Sequence, residues 1–272
     1  MAKAKRQMSE DLKLIDLIIE LTDARIPRSG RNPDIDQMGQ GKSRLILLNK
    51  ADLADPSQNK AWAAHFQAQG FSVVCLDSRK RSATKQVMDA ITKACEEKIR
   101  RDLKRGIKNR PVRAMVVGIP NVGKSTLINT LAGKAAAKTG NKPGVTKGKQ
   151  WIRLNKQVEL LDTPGILWPK FADEKTGLHL ALIGSMNDHI LQMQELSMEL
   201  IAFLRKVYPD ALSARYGIEE AGSDAQILME ITNARGCVRK GGEPDYERAA
   251  ALILDEFRAG RLGRITLEQP GD

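Results

Sequence analysis

The order of two short motifs constrains the fold of this chain more than any other feature of its sequence. The segment GIPNVGKST at residues 118–126 has the glycine spacing of a loop that surrounds phosphate groups. The segment NKAD at residues 49–52 follows the apolar run RLILL and has the pattern of a loop that recognises guanine. In an ordinary domain with both loops the phosphate loop comes first, but here NKAD precedes it by 69 residues. Either NKAD is a coincidence, or the chain order of the domain has been changed.

The phosphate loop lies between a predicted strand and a predicted helix, which is the context that such a loop requires. Its glycines let backbone N–H groups converge on phosphate oxygens, and the helix dipole adds to the attraction. Lys124 is expected to neutralise the β and γ phosphates, and the Ser125 hydroxyl is expected to bind Mg²⁺. The alternative is a simple glycine-rich turn. The predicted nucleotide-binding residues of this loop are Asn121, Val122, Gly123, Lys124, Ser125 and Thr126.

Two segments beyond the phosphate loop fit the switches of a nucleotide-hydrolysing domain. Asp162 begins the sequence DTPG after the apolar run VELL, where its carboxylate can support Mg²⁺ through water and the Gly165 N–H can meet the γ phosphate. Thr146, in the Lys- and Gly-rich KPGVTKG, is the expected metal- and phosphate-sensing threonine. The predicted switches are residues 140–148 and 162–168, the predicted metal ligands Ser125, Thr146 and Asp162, and the predicted catalytic residues Lys124, Thr146 and Gly165.

The NKAD motif makes a chemical prediction about the base. An aspartate at position 52 can accept two hydrogen bonds from the ring N–H and the amino group of guanine, whereas adenine would leave a buried carboxylate unpaired. Asn49 is expected to brace the loop, and the stem of Lys50 to pack over the purine. The alternative is a capped turn without a ligand. The predicted base-binding residues are Asn49, Lys50, Ala51 and Asp52, with Asp77 and Ser78 after the next strand.

Strands and helices alternate up to about residue 168, which predicts an α/β fold with a mainly parallel sheet. The nucleotide-contacting elements would then follow the order base, base, phosphate, first switch, second switch. Circular permutation gives this order, with a basic helix at residues 84–107 joining the original ends. Beyond that point the chain reads as amphipathic helices. We therefore expect a permuted phosphate-loop GTPase domain at 1–168 and a helical domain at 169–272.

Charge and composition restrict the partners. The chain carries a net charge of +11, but residues 1–170 carry +17 and residues 171–272 carry −6. The first segment is therefore expected to contact RNA, with basic clusters at 96–113 and 134–153; a solvated helix face and a mobile loop are the alternative. No signal peptide or spanning segment is visible, so we expect a cytoplasmic protein without a membrane partner. The three cysteines are scattered, which argues against disulfides or zinc.

Eight segments of the sequence carry a resemblance to one known family: MAKAKRQ, DARIPRSGRNP, LLNKAD, GIPNVGKSTLIN, KPGVTKG, LLDTPGILWPK, RYG and GRITLEQP. Through them the sequence resembles the ribosome biogenesis GTPase A (YlqF-type) family nearly from end to end. The resemblance implies hydrolysis of GTP to GDP, slow alone and stimulated by the ribosome. It also implies late maturation of the large (50S) ribosomal subunit, with precursor ribosomal RNA and proteins as partners, no DNA, and a monomer. An RNA or small-subunit role, or a non-ribosomal regulatory GTPase, is the alternative.

Three details bear on how such a GTPase positions its water. Ile166 follows DTPG where many GTPases have a glutamine. Asn121 matches the asparagine that potassium-stimulated GTPases use to hold K⁺, and a plain loop-bracing role is the alternative. Family members usually carry Pro-Gly-His just before MAKA, and that histidine has been linked to catalysis, whereas this sequence begins at Met1. An upstream start, the bound ribosome and a monovalent cation are the three explanations left open.

Overall fold

A computed structural model describes residues 8–108, 110–133, 150–163, 173–186 and 192–271. The chain divides into two compact units. The first consists of Met1–Phe171 together with Glu268–Asp272, and the second of Ala172–Leu267. The grouping of the last five residues with the first unit was not anticipated from the sequence.

The first unit is built on a six-stranded sheet in the order β3-β2-β1-β4-β6-β5. Five strands run parallel, and only β5, at the edge, runs antiparallel to its neighbour β6. The prediction of a mainly parallel α/β sheet is therefore confirmed. The strands are β1 (Leu17–Asp23), β2 (Ser43–Asn49), β3 (Ser72–Cys75), β4 (Val112–Gly118), β5 (Gln150–Arg153) and β6 (Val158–Asp162).

The central strands are apolar on both faces because helices cover both sides of the sheet. Every residue of β1 is buried, and β2 is buried from Leu45 onward. On one face, Met8 and Leu12 from a helical segment at residues 8–12 pack against Met115 and Leu161. On the other face, the helix at Pro56–Ala68 packs its aromatic side chains against β2. Such two-sided burial accounts for continuous apolar runs in place of alternation.

The predicted single helix at 84–107 is divided in two at Cys95, which has φ −107° and ψ 10°. The first part buries Ala83, Val87 and Ile91 against the sheet, whereas the second part, with the sequence EEKIRRDLK, buries no residue. The apolar stripe ends with the first part, so the second has no face to pack on the sheet. The helices of this unit are α1 (Asp34–Met38), α2 (Pro56–Ala68), α3 (Ser82–Ala94), α4 (Glu96–Lys104) and α5 (Lys124–Ala132).

The regular secondary structure in the described residues of the second unit is helical, apart from an isolated bridge between Val238 and Pro244. Its core is formed where α10 lies against α7, with Leu200 and Leu204 facing the same interior as Ile253 and Leu254. The sequence prediction of amphipathic helices here is confirmed. The helices are α6 (Glu174–Leu182), α7 (Met193–Val207), α8 (Ala211–Tyr216), α9 (Asp224–Ala234) and α10 (Tyr246–Arg258). Within the described part of the chain, no helix has the length and apolar character needed to span a membrane.

Candidate nucleotide-binding site

The carboxyl ends of the parallel strands bring the predicted loops to one edge of the sheet. The NKAD loop begins at the last residue of β2, and the phosphate loop begins at the last residue of β4. DTPG begins at the end of β6, and the Asp77-Ser78 pair follows β3 closely. Because spatial order in a sheet does not depend on chain order, the unusual sequence order of the motifs does not separate them. Ligands of open α/β sheets bind at this edge.

Asn49 joins three of these loops through one side-chain amide. Its Nδ2 donates to the Val122 carbonyl of the phosphate loop at 2.7 Å. Its Oδ1 accepts from the backbone N–H of Ser78 at 2.9 Å. The side chain is fully buried, so both hydrogen bonds are shielded from water. The two base-binding segments and the phosphate loop are therefore held in fixed register by a residue that the sequence analysis had assigned a bracing role.

Lys50 connects the same loops by a second route. Its backbone is left-handed, with φ 58°. Its ammonium donates to the Asn121 carbonyl at 3.0 Å and lies 3.0 Å from the Asp23 carboxylate at the end of β1. This second partner places the Lys50 amine between the phosphate loop and the neighbouring strand.

Asp23 and Arg25 form a buried ion pair beneath the NKAD loop that the sequence analysis had not assigned to the site. The Arg25 Nε and Nη2 donate to the two Asp23 carboxylate oxygens at 2.9 and 2.8 Å. Burial disfavours the charged form of the Asp23 carboxyl group. The positive charges of Arg25 and Lys50 outweigh this effect and hold the pKa of Asp23 well below its usual range. An available sequence signal was the pair of charges in DAR at the end of a fully buried strand.

Gly123 is required at its position by both conformation and space. It adopts φ 96°, and a Cβ there would lie 2.5 Å from Asn49 Nδ2. Any larger residue would displace the amide that joins the loops. Asn121 also has a left-handed backbone, with φ 60°. The shape of the phosphate loop therefore depends on the left-handed backbones of Asn121 and Gly123 and on the packing of Gly123 against Asn49.

Lys124 and Asp162 form the charged centre of the phosphate end. Lys124 is 7% exposed, and its ammonium donates to the Thr163 carbonyl. Burial lowers the pKa of Lys124 to about 8, against the opposing effect of Asp162. Burial likewise raises the pKa of Asp162, although Lys124 and the Thr163 N–H favour its charged form. The Thr163 hydroxyl donates to the Val116 carbonyl at 2.8 Å, which fixes the start of the DTPG segment on β4.

Arg79 links the two acidic side chains of the base-binding end. Its Nη2 donates to Asp52 Oδ2 at 2.7 Å and to Asp77 Oδ2 at 3.0 Å, and its Nε donates to Asp77 Oδ1 at 2.8 Å. These hydrogen bonds hold the pKa of Asp77 below its usual range. The remaining Asp52 oxygen, Oδ1, is buried and has no hydrogen-bond partner. Arg79 was missed in the sequence because nothing local distinguishes it from the neighbouring Lys80 and Arg81.

Known proteins with similar sequences decide the family. A family model described as 50S ribosome-binding GTPase matches residues 113–225. The chain is 47% identical over 271 residues to ribosome biogenesis GTPase A of Bacillus cereus, covering 99% of this chain and 92% of that relative. It is 35% identical over 273 residues to the protein of that name from Thermotoga maritima, covering 99% and 92%. The chain belongs to the ribosome biogenesis GTPase A family.

Solved structures agree with this membership of the ribosome biogenesis GTPase A family. A GDP-bound structure of TM YlqF has a TM-score of 0.71 and 30% identity, and covers 98% of this chain and 100% of its own. A GNP-bound structure of YlqF from T. maritima has a TM-score of 0.68 and 32% identity, and covers 99% of each chain. The protein is accordingly a circularly permuted GTPase that binds and hydrolyses GTP and takes part in ribosome biogenesis.

The oxygen atoms available in this ribosome biogenesis GTPase suit Mg²⁺. Magnesium is usually held by one or two protein oxygens, waters and substrate phosphates, without a complete cage of side chains. In keeping with this, the described residues contain no cluster of three or more His, Cys, Asp or Glu that could hold a metal. Asp162 Oδ1 is buried without a hydrogen-bond partner, so it can accept from a water bound to the ion. Ser125, in the first turn of α5, offers the hydroxyl.

Several predicted site residues of this family member lie outside the described residues. Thr146 and Gly165 fall there, with the whole of 140–148 and with 164–168 of the second switch, which includes Ile166. Of the predicted catalytic set, only Lys124 is described, and its role stays a prediction. Ser125 and Thr126 open α5 in half-buried positions, and the backbone N–H of Ala51 donates to the Leu76 carbonyl at 3.1 Å.

Proposed function

We propose that this GTPase is an assembly factor that acts late in maturation of the large (50S) ribosomal subunit. It binds precursor ribosomal RNA and proteins in its GTP state and leaves after hydrolysis to GDP. The observation that carries the proposal is the match of residues 113–225 to the 50S ribosome-binding GTPase family, within a chain whose relatives are named for ribosome biogenesis. The strongly basic character of residues 1–170 supports an RNA partner.

We assign the base end of the site to guanine. Asp52 Oδ1 is the buried, unpartnered acceptor for the base, while Asn49 and Lys50 fix the loop that carries it. Asp77 and Ser78 border the far side of the base. A carboxylate oxygen that is buried without a partner costs free energy, which a guanine N–H would recover. Adenine offers no matching pair of donors at that edge.

We assign the phosphate end to Lys124 and the backbone of residues 121–126. The buried Lys124 ammonium meets the β and γ phosphates, and Ser125, Thr146 and Asp162 serve Mg²⁺, the last through water. During hydrolysis, Lys124, Thr146 and the Gly165 N–H stabilise the charge that develops on the γ phosphate. Asn121 is the candidate ligand for K⁺. It has a left-handed backbone and belongs to the phosphate loop, where a monovalent cation would neutralise phosphate charge.

Sedimentation of ribosomal particles tests the proposed step. The tagged protein is expressed in cells, and lysate with a non-hydrolysable GTP analogue or with GDP is separated on a sucrose gradient. We expect the protein to migrate with large-subunit precursors in the GTP analogue and to leave them in GDP. A Lys124→Ala variant, impaired in nucleotide binding, should be absent from the particles in both conditions. Migration with the small subunit would support the alternative RNA role, and migration with no particle would overturn the proposal.

A further inference from the structure

Exposed apolar side chains of the first unit lie before β1, at the end of α4 and on the edge strand β5. Six large apolar residues among those described are strongly exposed, and four of them belong to this unit. Leu14 is 52% exposed and precedes β1, whereas Leu103 (57%) and Ile107 (40%) lie at the end of α4 and just beyond it. Trp151, on the edge strand β5, is 42% exposed. Exposed aromatic and aliphatic side chains in one region indicate an interaction surface.

Asp16 connects the elements that carry these side chains. Its carboxylate accepts from the backbone N–H of Arg113 at 3.0 Å, and its own N–H donates to the Arg113 carbonyl at 2.8 Å. The same carboxylate lies 3.5 Å from the Lys98 ammonium of α4 and 3.8 Å from the Arg110 guanidinium. The start of β1, the helix α4 and the start of β4 therefore meet at one point. Leu14 is two residues from Asp16.

Arg113 extends this region to the exposed tryptophan. Its guanidinium lies over the Trp151 ring, 5.4 Å from the ring centroid, and 3.5 Å from the Glu159 carboxylate. Arg113 and Arg110 are both nearly half exposed. We call the set Leu14, Leu103, Ile107, Arg110, Arg113 and Trp151 the tryptophan surface.

The charge of the tryptophan surface is positive toward solvent. Asp16 and Asp102 are largely buried, and Lys98 is shared between them at 3.5 and 2.7 Å. The exposed acidic residues of α4 stand at its first turn, whereas its last turn, beside Leu103, is basic. The exposed cations around the surface are Arg100, Arg101, Lys104, Arg105, Lys108, Arg110, Arg113 and Arg153.

We propose that the tryptophan surface binds a single-stranded segment of RNA, with one unpaired base stacked on Trp151. The inference rests on the proposed function, which supplies an RNA partner. Bases in a duplex are stacked on one another, so a half-exposed indole under a guanidinium suits a base that has left the stack. The surrounding arginines then meet the phosphates of the same strand. Exposed leucine and isoleucine side chains border the base without demanding hydrogen bonds.

The position of Arg113 separates RNA binding from nucleotide chemistry. Arg113 is near the beginning of β4, and the phosphate loop leaves the other end of that strand at Gly118. Five residue steps along a strand correspond to about 17 Å. Trp151 pairs with Leu161, the residue before Asp162, and is closer to the nucleotide site. Changes to Arg113 should therefore leave basal GTP hydrolysis unchanged, and this property makes the surface testable in the intact protein.

The experiment measures the affinity of the protein, bound to a non-hydrolysable GTP analogue, for a fluorescein-labelled, unstructured RNA of about twenty nucleotides and for the same sequence as a duplex. We expect tighter binding of the single strand. Trp151→Ala should weaken that binding about tenfold, a range typical of loss of one stacked base. Arg113→Gln should weaken it and reduce its salt dependence by about one phosphate contact. Trp151→Phe, which keeps a ring, should lie close to the wild type.

Lys60→Gln is the matched control, because Lys60 is an exposed cation on α2 that belongs to another part of the same unit. It should bind RNA like the wild type, Lys60→Gln and Arg113→Gln should keep wild-type GTP hydrolysis, and all variants should keep wild-type thermal unfolding. The proposal that the tryptophan surface binds single-stranded RNA would be overturned if Trp151→Ala and Arg113→Gln both left the affinity for the single strand unchanged. Equal or tighter binding of the duplex by the wild type would also overturn it.

Sedimentation separates this result from the proposed function. If these variants bind the oligonucleotide normally and the wild type still joins large-subunit precursors, the surface is wrong and the assembly role stands. If the wild type joins no particle while Trp151→Ala still weakens binding of the single strand, the surface stands and the assembly role is wrong.

Discussion

Asp52 can select a base because its two carboxylate oxygens have different surroundings. Oδ2 is held by Arg79, whereas Oδ1 is buried without a partner. An asparagine side chain at this position would keep one acceptor but present an amide donor, which matches the C2 carbonyl of xanthine and faces the amino group of guanine. We therefore expect Asp52→Asn to weaken GDP binding by about tenfold to a hundredfold and to improve binding of xanthosine diphosphate.

Isothermal titration of the two nucleotides, with Asp55→Asn as the control, measures this change of preference. Asp55 lies three residues after Asp52 and is the N-cap of α2, where its side chain accepts from the Ser57 N–H. The control therefore removes a nearby charge without changing a group that contacts the base. If Asp52→Asn kept the wild-type preference for GDP over xanthosine diphosphate, Asp52 would not be the guanine reader.

Lys124 makes nucleotide binding depend on pH. Burial lowers its pKa to about 8 in the protein without phosphates beside it. The negative charge of bound phosphates favours the ammonium and raises that pKa, so binding above pH 8 must take up a proton. GDP affinity should consequently fall as pH rises beyond about 8, by at most about tenfold per pH unit.

Calorimetry at pH 8.5 in two buffers of different ionisation enthalpy measures the proton directly. The phosphates of GDP are fully ionised at that pH, so they do not contribute to the observed uptake. We expect a net uptake at pH 8.5 and a smaller one at pH 7.5, where Lys124 is already mostly charged. Equal heats in both buffers at pH 8.5 would show that Lys124 is charged before the nucleotide arrives.

Elements with strong local patterns could be predicted from the sequence. The strands β1, β2 and β4 are apolar runs buried by their neighbours, and each is followed by a turn-forming or charged motif. Their parallel arrangement follows from the helices between them. Since the carboxyl ends of such strands share an edge, the convergence of NKAD, the phosphate loop and DTPG was already implied by the motifs.

Contacts between distant elements could not be predicted in this way. The hydrogen bond from Asn49 to Val122 spans 73 residues and depends on how three loops pack. The buried pair Asp23–Arg25 and the bridging Arg79 depend on side-chain directions that no periodicity encodes. The division between α3 and α4 at Cys95 depends on the end of the available sheet surface, which a helical pattern alone does not reveal.

The end of the chain completes the first unit. Glu268 is buried, and its carboxylate accepts from the backbone N–H of Arg28 at 2.7 Å and of Ser29 at 3.0 Å. Its carbonyl accepts from the Trp62 indole at 3.1 Å. The loop after β1 and the aromatic core on α2 are thus stabilised by a residue more than two hundred positions away. Local sequence patterns offer no signal for such a return.

This arrangement predicts that removal of the last residues destabilises the first unit. A chain that ends at Leu267 loses the Glu268 acceptors for the Arg28 and Ser29 N–H groups and for the Trp62 indole. We expect a loss of about 2–4 kcal/mol, because buried donors lose a charged acceptor and a carbonyl. Glu268→Gln, which keeps the shape and the backbone carbonyl, should lose less. Urea unfolding, monitored through the release of bound GDP, reports on the stability of this unit.

A chain that ends at Gln269 is the matched control, since it removes three residues but keeps Glu268 and all its acceptors. It should unfold at the wild-type urea concentration, and the chain ending at Leu267 should unfold at a lower one. The order of the three variants matters as much as the size of the effect, because it follows the number of acceptors that each retains. Equal midpoints for the chains ending at Leu267 and Gln269 would mean that Glu268 contributes nothing to the first unit, and that this unit is stable without the end of the chain.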